Sequence, residues 1–410
     1  MFIFILLGIP SRLSFLFFII PTLLVFILLR IYREFIKELR KITQSLFSLD
    51  LNYIEIICFI FLTIEIIFLF SFWFIEPVHY WDTLCFWDGK AKYIFFEGDF
   101  SFIDWEIPNL DYPLLVSLNL TYIYSILGQY HYFSKICFIF FFLFLILFLY
   151  SSLKSLGLSR TYTFLFITLI SLVPKIFDLS RTAYGDMPLT FFYTISTILL
   201  YCFFKTKKSV YVLLSYILMG FMAWTKNEGL ALLVINTFVF LLYNIILGAK
   251  KEIPLKSSLK NLGLFFPGYL IYLPWFVFAR VHRFKDDYTS NLSELFDLNQ
   301  VFNDLTEIFF YITHSSLTLF IVWIAFISIF LLNIRGIFNK ESAFLILMII
   351  FHFLVYLAIY IISPFNLTWH LRTSLSRELS HIIPIFGFLD GILIINIEEN
   401  SDFLFKKDSK

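Results

Sequence analysis

The segment Asn52–Ile75 reads NYIEIICFIFLTIEIIFLFSFWFI, and its only charged residues are Glu55 and Glu65. A helix that crosses the hydrocarbon core of a bilayer needs about 20 mostly apolar residues, and this stretch meets that requirement. The rest of the chain has the same character, since 60% of its 410 residues are hydrophobic and only 15% are charged. A soluble domain carries roughly 25% charged residues. The sequence therefore predicts an all-α polytopic membrane protein.

Apolar runs of suitable length recur along the chain and predict about eleven transmembrane helices. Residues 112–127 are also apolar, but we expect them to form an interfacial helix in the first outer loop. That expectation follows from the positive-inside rule, because the basic connectors share one side only if this segment does not cross. The predicted spans are approximately 15–32, 52–75, 131–151, 160–177, 186–204, 210–225, 230–248, 262–280, 308–333, 342–363 and 382–396.

The predicted spans divide the chain into three parts. Residues 1–50 hold one membrane helix and a basic cytoplasmic connector, residues 51–396 form the main transmembrane domain, and residues 397–410 form a cytoplasmic tail. The formal net charge is +1 and no basic tail is present, so we expect no nucleic acid partner. The location expected for such a chain is the plasma or inner membrane, as a multi-pass protein of the cell envelope.

The side opposite the basic connectors holds the unusual polar segments. The first, HYWDTLCFWDGKAKY at residues 79–93, places Asp82, Asp88 and Lys90 among tryptophans. An aromatic belt at the lipid headgroups would explain the rings alone. Carboxylates against an apolar boundary are costly unless they are paired or functional, so we interpret Asp82 as a functional residue and Asp88 as a helper.

Two further polar turns lie on the same predicted side. In AYGDMPL, Asp186 precedes a span and Pro188, which is typical of a helix N-cap and compatible with a second role. In MAWTKNEG, Lys226 and Glu228 lie between two short apolar stretches, at or below the outer boundary of the membrane. They form either a charged hairpin tip or, as we favour, a pocket in which the lysine faces an anion.

The segment WHLRTSLSRELSHIIP at residues 369–384 predicts an amphipathic interfacial helix that leads into the last span. Its residues His370, Ser374, Arg377 and His381 follow steps of four, three and four, so they share one face. Arg372 belongs to the same basic stretch. One interpretation is that the arginines anchor the end of the bundle. The other, which the two histidines favour, is a phosphate or sugar site.

Carboxylates and cations held at headgroup depth suit an anionic lipid-linked substrate. A sugar on a polyprenyl phosphate cannot leave the bilayer, and its phosphate leaves readily when cations balance the developing charge. The acceptor hydroxyl needs a base, and a carboxylate on the opposite face of the anomeric carbon would serve, with inversion of configuration. A nucleotide-sugar enzyme would instead need a cytosolic nucleotide-binding domain, which this sequence lacks.

The order of these segments resembles the GT-C superfamily of integral-membrane glycosyltransferases, in particular bacterial relatives of the protein O-mannosyltransferases and the lipid A aminoarabinose transferases. WDTLCFWDGKAKYIFFEGDF (81–100) followed by YPLL, RTAYGDMPLTFF (181–192) and GFMAWTKNEGLALL (220–233) carry the resemblance, together with the segment at 369–384. The resemblance implies a GT-C-like fold with Asp82 as general base. It also implies Asp186 near the sugar or a divalent ion, and phosphate contacts from Lys226 and Arg377.

These expectations define a candidate site and its partners. The catalytic residue is Asp82, and a divalent metal ion, if one is used, would bind Asp82 and Asp186. The partners are a polyprenyl-phosphate-linked sugar, membrane lipid, and an acceptor glycan, lipid or protein. The alternative is a transporter or flippase for a lipid-linked sugar, or a polysaccharide polymerase or ligase. The predicted substrate-binding residues are Asp88, Lys90, Asp186, Lys226, Glu228, His370, Arg372 and Arg377.

Overall fold

A computed structural model describes residues 1–6, 51–104, 109–250, 263–284, 288–314, 317–332, 334 and 340–407. These residues form α-helices with short π-helical and 3-10 segments, and no β-strand occurs among them. The predicted all-α class is therefore confirmed for this part of the chain. The first predicted span, 15–32, lies outside it.

The described α-helices are numbered here in chain order. They are α1 (Phe2–Leu6), α2 (Tyr53–Ile75), α3 (Gly89–Glu97), α4 (Leu115–Leu127), α5 (Ile136–Ser155), α6 (Arg160–Ser171), α7 (Pro174–Leu179), α8 (Asp186–Thr206), α9 (Val210–Ala223), α10 (Asn227–Ala249), α11 (Phe266–Val281), α12 (Leu298–His314), α13 (Leu317–Leu332), α14 (Lys340–Ile361) and α15 (Leu367–Lys407). A π-helical turn, Thr83–Asp88, connects the segment after α2 to α3.

Seven helical segments in the described chain are long and apolar enough to cross a membrane. They coincide with seven of the predicted spans, so the multi-pass membrane character is supported. The total of eleven stays a prediction. The seven segments are Tyr53–Ile75, Tyr132–Ser155, Asp186–Thr206, Asn227–Ala249, Gly263–Val281, Ser342–Ile361 and Leu367–Ile397.

The other predicted spans correspond to shorter helices. The predicted span 160–177 is divided, since α6 ends at Ser171 and α7 begins at Pro174. A proline forces the residue before it out of the helical region, and Val173 is indeed extended. Helix α9 has 14 residues, and the predicted span 308–333 falls on two helices, α12 and α13.

Helix α8 lies at the centre of the bundle. It is buried over almost its whole length and packs against α5, α9, α14 and α15. Helix α2 lies at the periphery, where Phe59, Ile67 and Phe74 are each more than half exposed. An apolar exposed face of this kind is what a lipid-facing helix requires. Asp186 at the start of α8 is thus surrounded by other helices at one end of the bundle.

Helix α15 is a single helix of 41 residues. The segment predicted to lie in the interface, 369–384, and the predicted span 382–396 belong to it without interruption, although Pro384 lies inside. Neighbouring helices tolerate such a proline in a membrane bundle. Because α15 packs against α8, its residues Arg377 and His381 are directed toward the start of α8.

Helix α4 covers most of the segment that was predicted not to cross. Its 13 residues are few for a span, and it packs against α3. The Ser117 hydroxyl donates to the carbonyl of Trp87 at 2.8 Å, and the Thr121 hydroxyl donates to the carbonyl of Ala91 at 3.1 Å. The first loop and α4 therefore form one unit, and its interfacial position stays a prediction.

The bundle has two chemically different ends. At one end, Glu55 near the start of α2 pairs with Arg160 at the start of α6, at 2.8 Å. Lys205 lies in the last turn of α8 and faces that same end of the bundle. At the opposite end, α2 leads into the loop of Asp82, and α8 begins with Asp186. The acidic candidates thus lie at the end away from these basic residues.

Candidate functional site

Asp82 follows α2 and directly precedes the π-helical turn, where it occupies the N-cap position. Its carboxylate oxygen Oδ2 accepts a hydrogen bond from Nη1 of Arg377 at 2.7 Å. About 28% of the Asp82 side chain is exposed, against 2% of the Asp186 side chain. Of these two carboxylates, Asp82 is therefore the one that an incoming molecule can reach.

A neighbouring ionic group fixes the loop that carries Asp82. Arg181 donates from Nη1 to both carboxylate oxygens of Glu76 at 2.6 Å, and from Nη2 to Asp178 at 2.7 Å. The same Nη2 donates to the Tyr80 hydroxyl at 2.8 Å. Lys135 also donates to the Glu76 carbonyl. The end of α2 is thus tied to α5 and α7, which limits how far Asp82 can move.

Asp186 is the first residue of α8, and its side chain caps no helix. Gly185 occupies the N-cap position without a side-chain hydrogen bond. The Asp186 carboxylate instead contacts Nζ of Lys226 at 3.1 Å, Nε2 of His381 at 3.2 Å and Nη1 of Arg377 at 4.0 Å. A carboxylate in the first turn also interacts favourably with the helix dipole. Asp186 is therefore the centre of the site.

Lys226 occupies the N-cap position of α10 in an extended conformation. Its ammonium lies between Asp186 and Glu228, whose Oε1 is 2.9 Å away. Burial alone would lower the pKa of Lys226, but the two carboxylates outweigh it and raise this pKa above its ordinary value. The two carboxylates therefore favour the charged form of Lys226.

Arg377 joins the two acidic loops. It pairs with Asp82, lies near Asp186, and its guanidinium stacks over the ring of Tyr184 with 5.3 Å to the centroid. Its Nε atom is buried and has no hydrogen-bond partner among the described residues. A buried cationic donor without a partner is costly, so Arg377 has one donor that the described contacts leave unused.

We call Asp82, Asp186, Lys226, Glu228, Arg377 and His381 the ionic cluster. Its members come from four distant parts of the chain, and their contacts form one connected network. Three carboxylates against two cations leave the cluster close to neutral. A neutral, paired arrangement is what makes several charges tolerable beside hydrocarbon.

Two predicted site residues of the first loop lie apart from the ionic cluster. Asp88 is buried, accepts a hydrogen bond from the Tyr124 hydroxyl, and pairs with Lys92 at 2.9 Å. Lys90 is also buried, and its ammonium donates to the carbonyl of Asn109 at 2.5 Å. The π-helical turn directs both side chains toward α4 and the loop before it. Their contacts are structural ones.

Two predicted residues of α15 also have other partners. Nδ1 of His370 lies 2.8 Å from the Ser363 hydroxyl. Arg372 is exposed and donates from Nε to the Tyr311 hydroxyl at 3.0 Å. No hydrogen bond or ion pair within the described chain connects either residue to the ionic cluster. Arg372 points to a different face of α15 because it lies five positions before Arg377, and helical neighbours are three or four apart.

The sequence reasoning missed several partners of the site. His381 shares a helix face with Arg377, and this spacing indicates that both can reach the same site. The contact of His381 with Asp186 was not predicted. Tyr356 on α14, whose hydroxyl lies 2.8 Å from Nδ1 of His381, gave no signal at all. Nδ2 of Asn227 donates to Asp111 at 2.5 Å, which attaches the loop before α4 to the start of α10.

Asp82 and Asp186 do not fit a shared divalent ion in this arrangement. Asp186 already contacts three nitrogen-bearing side chains, and Asp82 is paired with Arg377. Metal ligands in proteins are usually clustered carboxylates and imidazoles whose lone pairs are free for the ion. Among the described residues, no group of three or more His, Cys, Asp or Glu side chains could hold a metal ion.

Comparison with known proteins found no relative of this chain. No family model matches the chain, and neither a curated protein nor a solved structure does. The ionic cluster and the membrane helices around it are therefore the basis for any functional conclusion.

Proposed function

We propose that this chain is a membrane glycosyltransferase of the GT-C type, which moves a sugar from a polyprenyl phosphate to an acceptor hydroxyl. The observation that carries the proposal is the ionic cluster at one end of the bundle. It combines a reachable carboxylate, Asp82, with two cations, Lys226 and Arg377, at the ends of apolar helices. A lipid-linked phosphate sugar requires that combination at that depth.

The proposed reaction is a single displacement. The acceptor oxygen forms a bond to the anomeric carbon while the bond from that carbon to the phosphate oxygen breaks. The hydroxyl proton passes to the Asp82 carboxylate, and the electron pair leaves with the phosphate. Lys226 and Arg377 balance the charge that develops there. The phosphate needs no proton donor, because it is a stable leaving group.

The pairing of Arg377 with Asp82 suggests how donor binding prepares the base. An incoming phosphate accepts hydrogen bonds from Arg377, starting with the free Nε–H. As the guanidinium turns to the phosphate, its 2.7 Å contact with Asp82 weakens and frees that carboxylate for the acceptor. The base is then available only when the donor is in place.

A lipid-linked sugar transporter is the second candidate, and Asp390 is the observation that favours it. This residue lies inside the apolar length of α15, is fully buried, and neither carboxylate oxygen has a hydrogen-bond partner among the described residues. Acidic residues at membrane depth often mark proton or ion pathways. The main polar cluster, however, lies at the helix ends, which favours the enzyme. A polysaccharide polymerase or ligase would share the donor chemistry.

The test uses the purified protein in detergent micelles with a panel of polyprenyl-phosphate-linked sugars and candidate acceptors. A transferase releases the lipid phosphate, whereas a flippase leaves every donor intact. We expect Asp82→Asn to lose at least about 100-fold in turnover, because general-base catalysis contributes roughly 10²–10⁴-fold. The variant should still fold and insert into the membrane, although the loss of the ion pair with Arg377 lowers its stability.

Asp99→Asn is the matched control. Asp99 follows α3 in the same predicted outer loop, is exposed, and accepts hydrogen bonds only from Ser101 among its described contacts. Its amide variant should keep wild-type turnover within about twofold, since exposed substitutions away from a site change little. Equal activity of Asp82→Asn and Asp99→Asn would rule out Asp82 as the base.

A further inference from the structure

Helices α14 and α15 share a buried polar seam that leads away from the ionic cluster. On α14, His352, Tyr356 and Tyr360 follow steps of four, so they lie on one face. On α15, Ser374 and His381 face them, since the Tyr360 hydroxyl lies 2.7 Å from Ser374 and the Tyr356 hydroxyl 2.8 Å from His381. Buried polar groups between membrane helices are rare and mark function by default.

Among the described residues, hydrogen bonds connect this seam to the ionic cluster through His381. His381 contacts Asp186 through Nε2 at 3.2 Å and Tyr356 through Nδ1 at 2.8 Å. The Asp186 carboxylate can only accept, so Nε2 carries the hydrogen in neutral His381. Nδ1 then has a free lone pair and accepts from the Tyr356 hydroxyl. Tyr356 thereby selects the tautomer that donates to Asp186.

We infer that Tyr356 and His381 are positioning residues for the ionic cluster, which hold Asp186 and through it Lys226 and Arg377. The inference rests on the proposed function, because it assigns these two residues a role in placing the phosphate-binding cations. Without Tyr356, neutral His381 can carry its hydrogen on Nδ1 and turn a lone pair toward the carboxylate. Asp186 would then lose a donor and shift toward its two cations.

The groups that face His381 determine how the variant depends on pH. Protonation gives His381 an N–H on both nitrogens, so an imidazolium donates to Asp186 whether or not Tyr356 is present. The defect of a Tyr356→Phe variant should therefore diminish as the pH falls. The titratable groups around His381 are Asp186 on α8, Lys226 and Glu228 at the start of α10, His352 and Tyr356 on α14, and Glu378 one turn earlier on α15.

The test compares Tyr356→Phe with Tyr360→Phe, which removes a hydroxyl that contacts Ser374 and Glu378 in the same seam and does not contact His381. We expect Tyr356→Phe to lose about 10- to 100-fold in turnover at pH 8, as losses of outer hydrogen bonds to functional groups do, and to recover part of it near pH 5. Tyr360→Phe should stay within about twofold at both pH values. Equal effects of the two variants, or a defect that does not change with pH, would overturn the inference.

A second variant separates this role from general destabilisation. In His381→Gln, the side-chain amide offers an N–H close to the former Nε2 and needs no tautomer selection. Tyr356→Phe should therefore cost nothing further, within about twofold, when His381 is already glutamine. An undiminished loss in the double variant would show that Tyr356 acts independently of His381.

A readout without turnover distinguishes the failure of this inference from the failure of the proposed function. Histidine ¹⁵N shifts in lipid nanodiscs, with His381 assigned from the spectrum of His381→Gln, report which ring nitrogen is protonated. The wild-type protein should show only the Nε2–H form, and Tyr356→Phe a mixture. This holds even if no sugar donor is turned over. An unchanged Nε2–H form in Tyr356→Phe would contradict the inference.

Discussion

Nη1 of Arg377 lies 2.7 Å from Oδ2 of Asp82, although 295 positions separate the two residues. This ion pair connects the first loop with the long helix α15, and both side chains are mostly buried, with 17% and 28% exposed. The ion pair therefore stabilises the ionic cluster. It also occupies the Asp82 carboxylate, which we propose as the base.

A double-mutant cycle measures how strongly this pair couples the two segments. Asp82→Asn and Arg377→Gln should each lower the free energy of unfolding, because each leaves a partner without its counter-charge. The double variant should lose less than the sum, with a coupling energy of about 1 kcal/mol, since partial exposure screens the pair. Denaturant unfolding in micelles gives the four values. If the losses in free energy of unfolding simply add, the two residues do not stabilise each other.

The sequence predicted which segments meet but not which side chains touch. Uninterrupted apolar runs such as 52–75 and 186–204 identify helices reliably because the bilayer imposes a length. The meeting of Asp82, Asp186, Lys226 and Arg377 followed from polar turns and the charge rule. Contacts between side chains depend on packing angles and on local turns, which sequence periodicity does not contain.

Two residues illustrate that limit. Asp88 was expected near Asp82, but the π-helical turn between them directs it to Tyr124, and a π-helix is not visible in a sequence. Tyr356 lies in an apolar helix, where a tyrosine is unremarkable without knowledge of the residue opposite. By contrast, Pro174 in the sequence already indicates that the preceding helix ends before it, and it therefore argues for a shorter span than the predicted 160–177.

Gly185 is predicted to be required for the geometry of the site. A Cβ atom at this position would lie 2.8 Å from Cγ of Lys226 and 3.1 Å from Cζ2 of Trp87. Gly185→Ala should therefore displace the lysine from Asp186 and lower turnover by at least about tenfold, since a misplacement of 1 Å can cost 10²-fold. Steady-state kinetics with the donor identified in the panel checks this.

Gly248→Ala is the control for that variant. Gly248 lies in α10 near its far end, and a Cβ there would meet nothing within 4 Å. Alanine is the better helix former, so this variant should keep its activity and gain about 0.5–1 kcal/mol of stability. Full activity of Gly185→Ala would show that Lys226 can move away from the added Cβ atom without loss of turnover.

The ionic cluster is predicted to face the outside of the cell. The basic residues at the far end of α8 should lie in the cytoplasm, so Asp82 and its loop should not. In a cysteine-free background, an impermeant maleimide should label Trp81→Cys in intact cells, because that side chain is 62% exposed. Lys207→Cys, at the end of α8, should be labelled only after lysis. The opposite pattern would refute the proposed orientation.

Lys90 is predicted to make stability depend on pH. It is fully buried, outside the membrane-spanning helices, and it donates to the carbonyls of Asn109 and Tyr112. Burial lowers the pKa of Lys90 to about 7, against the opposing effect of Asp111. In the unfolded chain this pKa returns to its ordinary value of about 10.4.

The sign of the effect follows from proton counts. Between pH 7 and about 10, the unfolded chain holds a proton that the folded protein has released, so raising the pH stabilises the fold. The slope from this one group approaches about 1.4 kcal/mol per pH unit and vanishes below pH 7, where both states are protonated. In Lys90→Met, the contribution of this lysine to the pH dependence of stability is absent.

Thermal unfolding in micelles from pH 6 to 9.5 should therefore show the wild-type protein gaining stability relative to Lys90→Met only above pH 7. Parallel curves over the whole range would mean that Lys90 keeps its proton in the folded state.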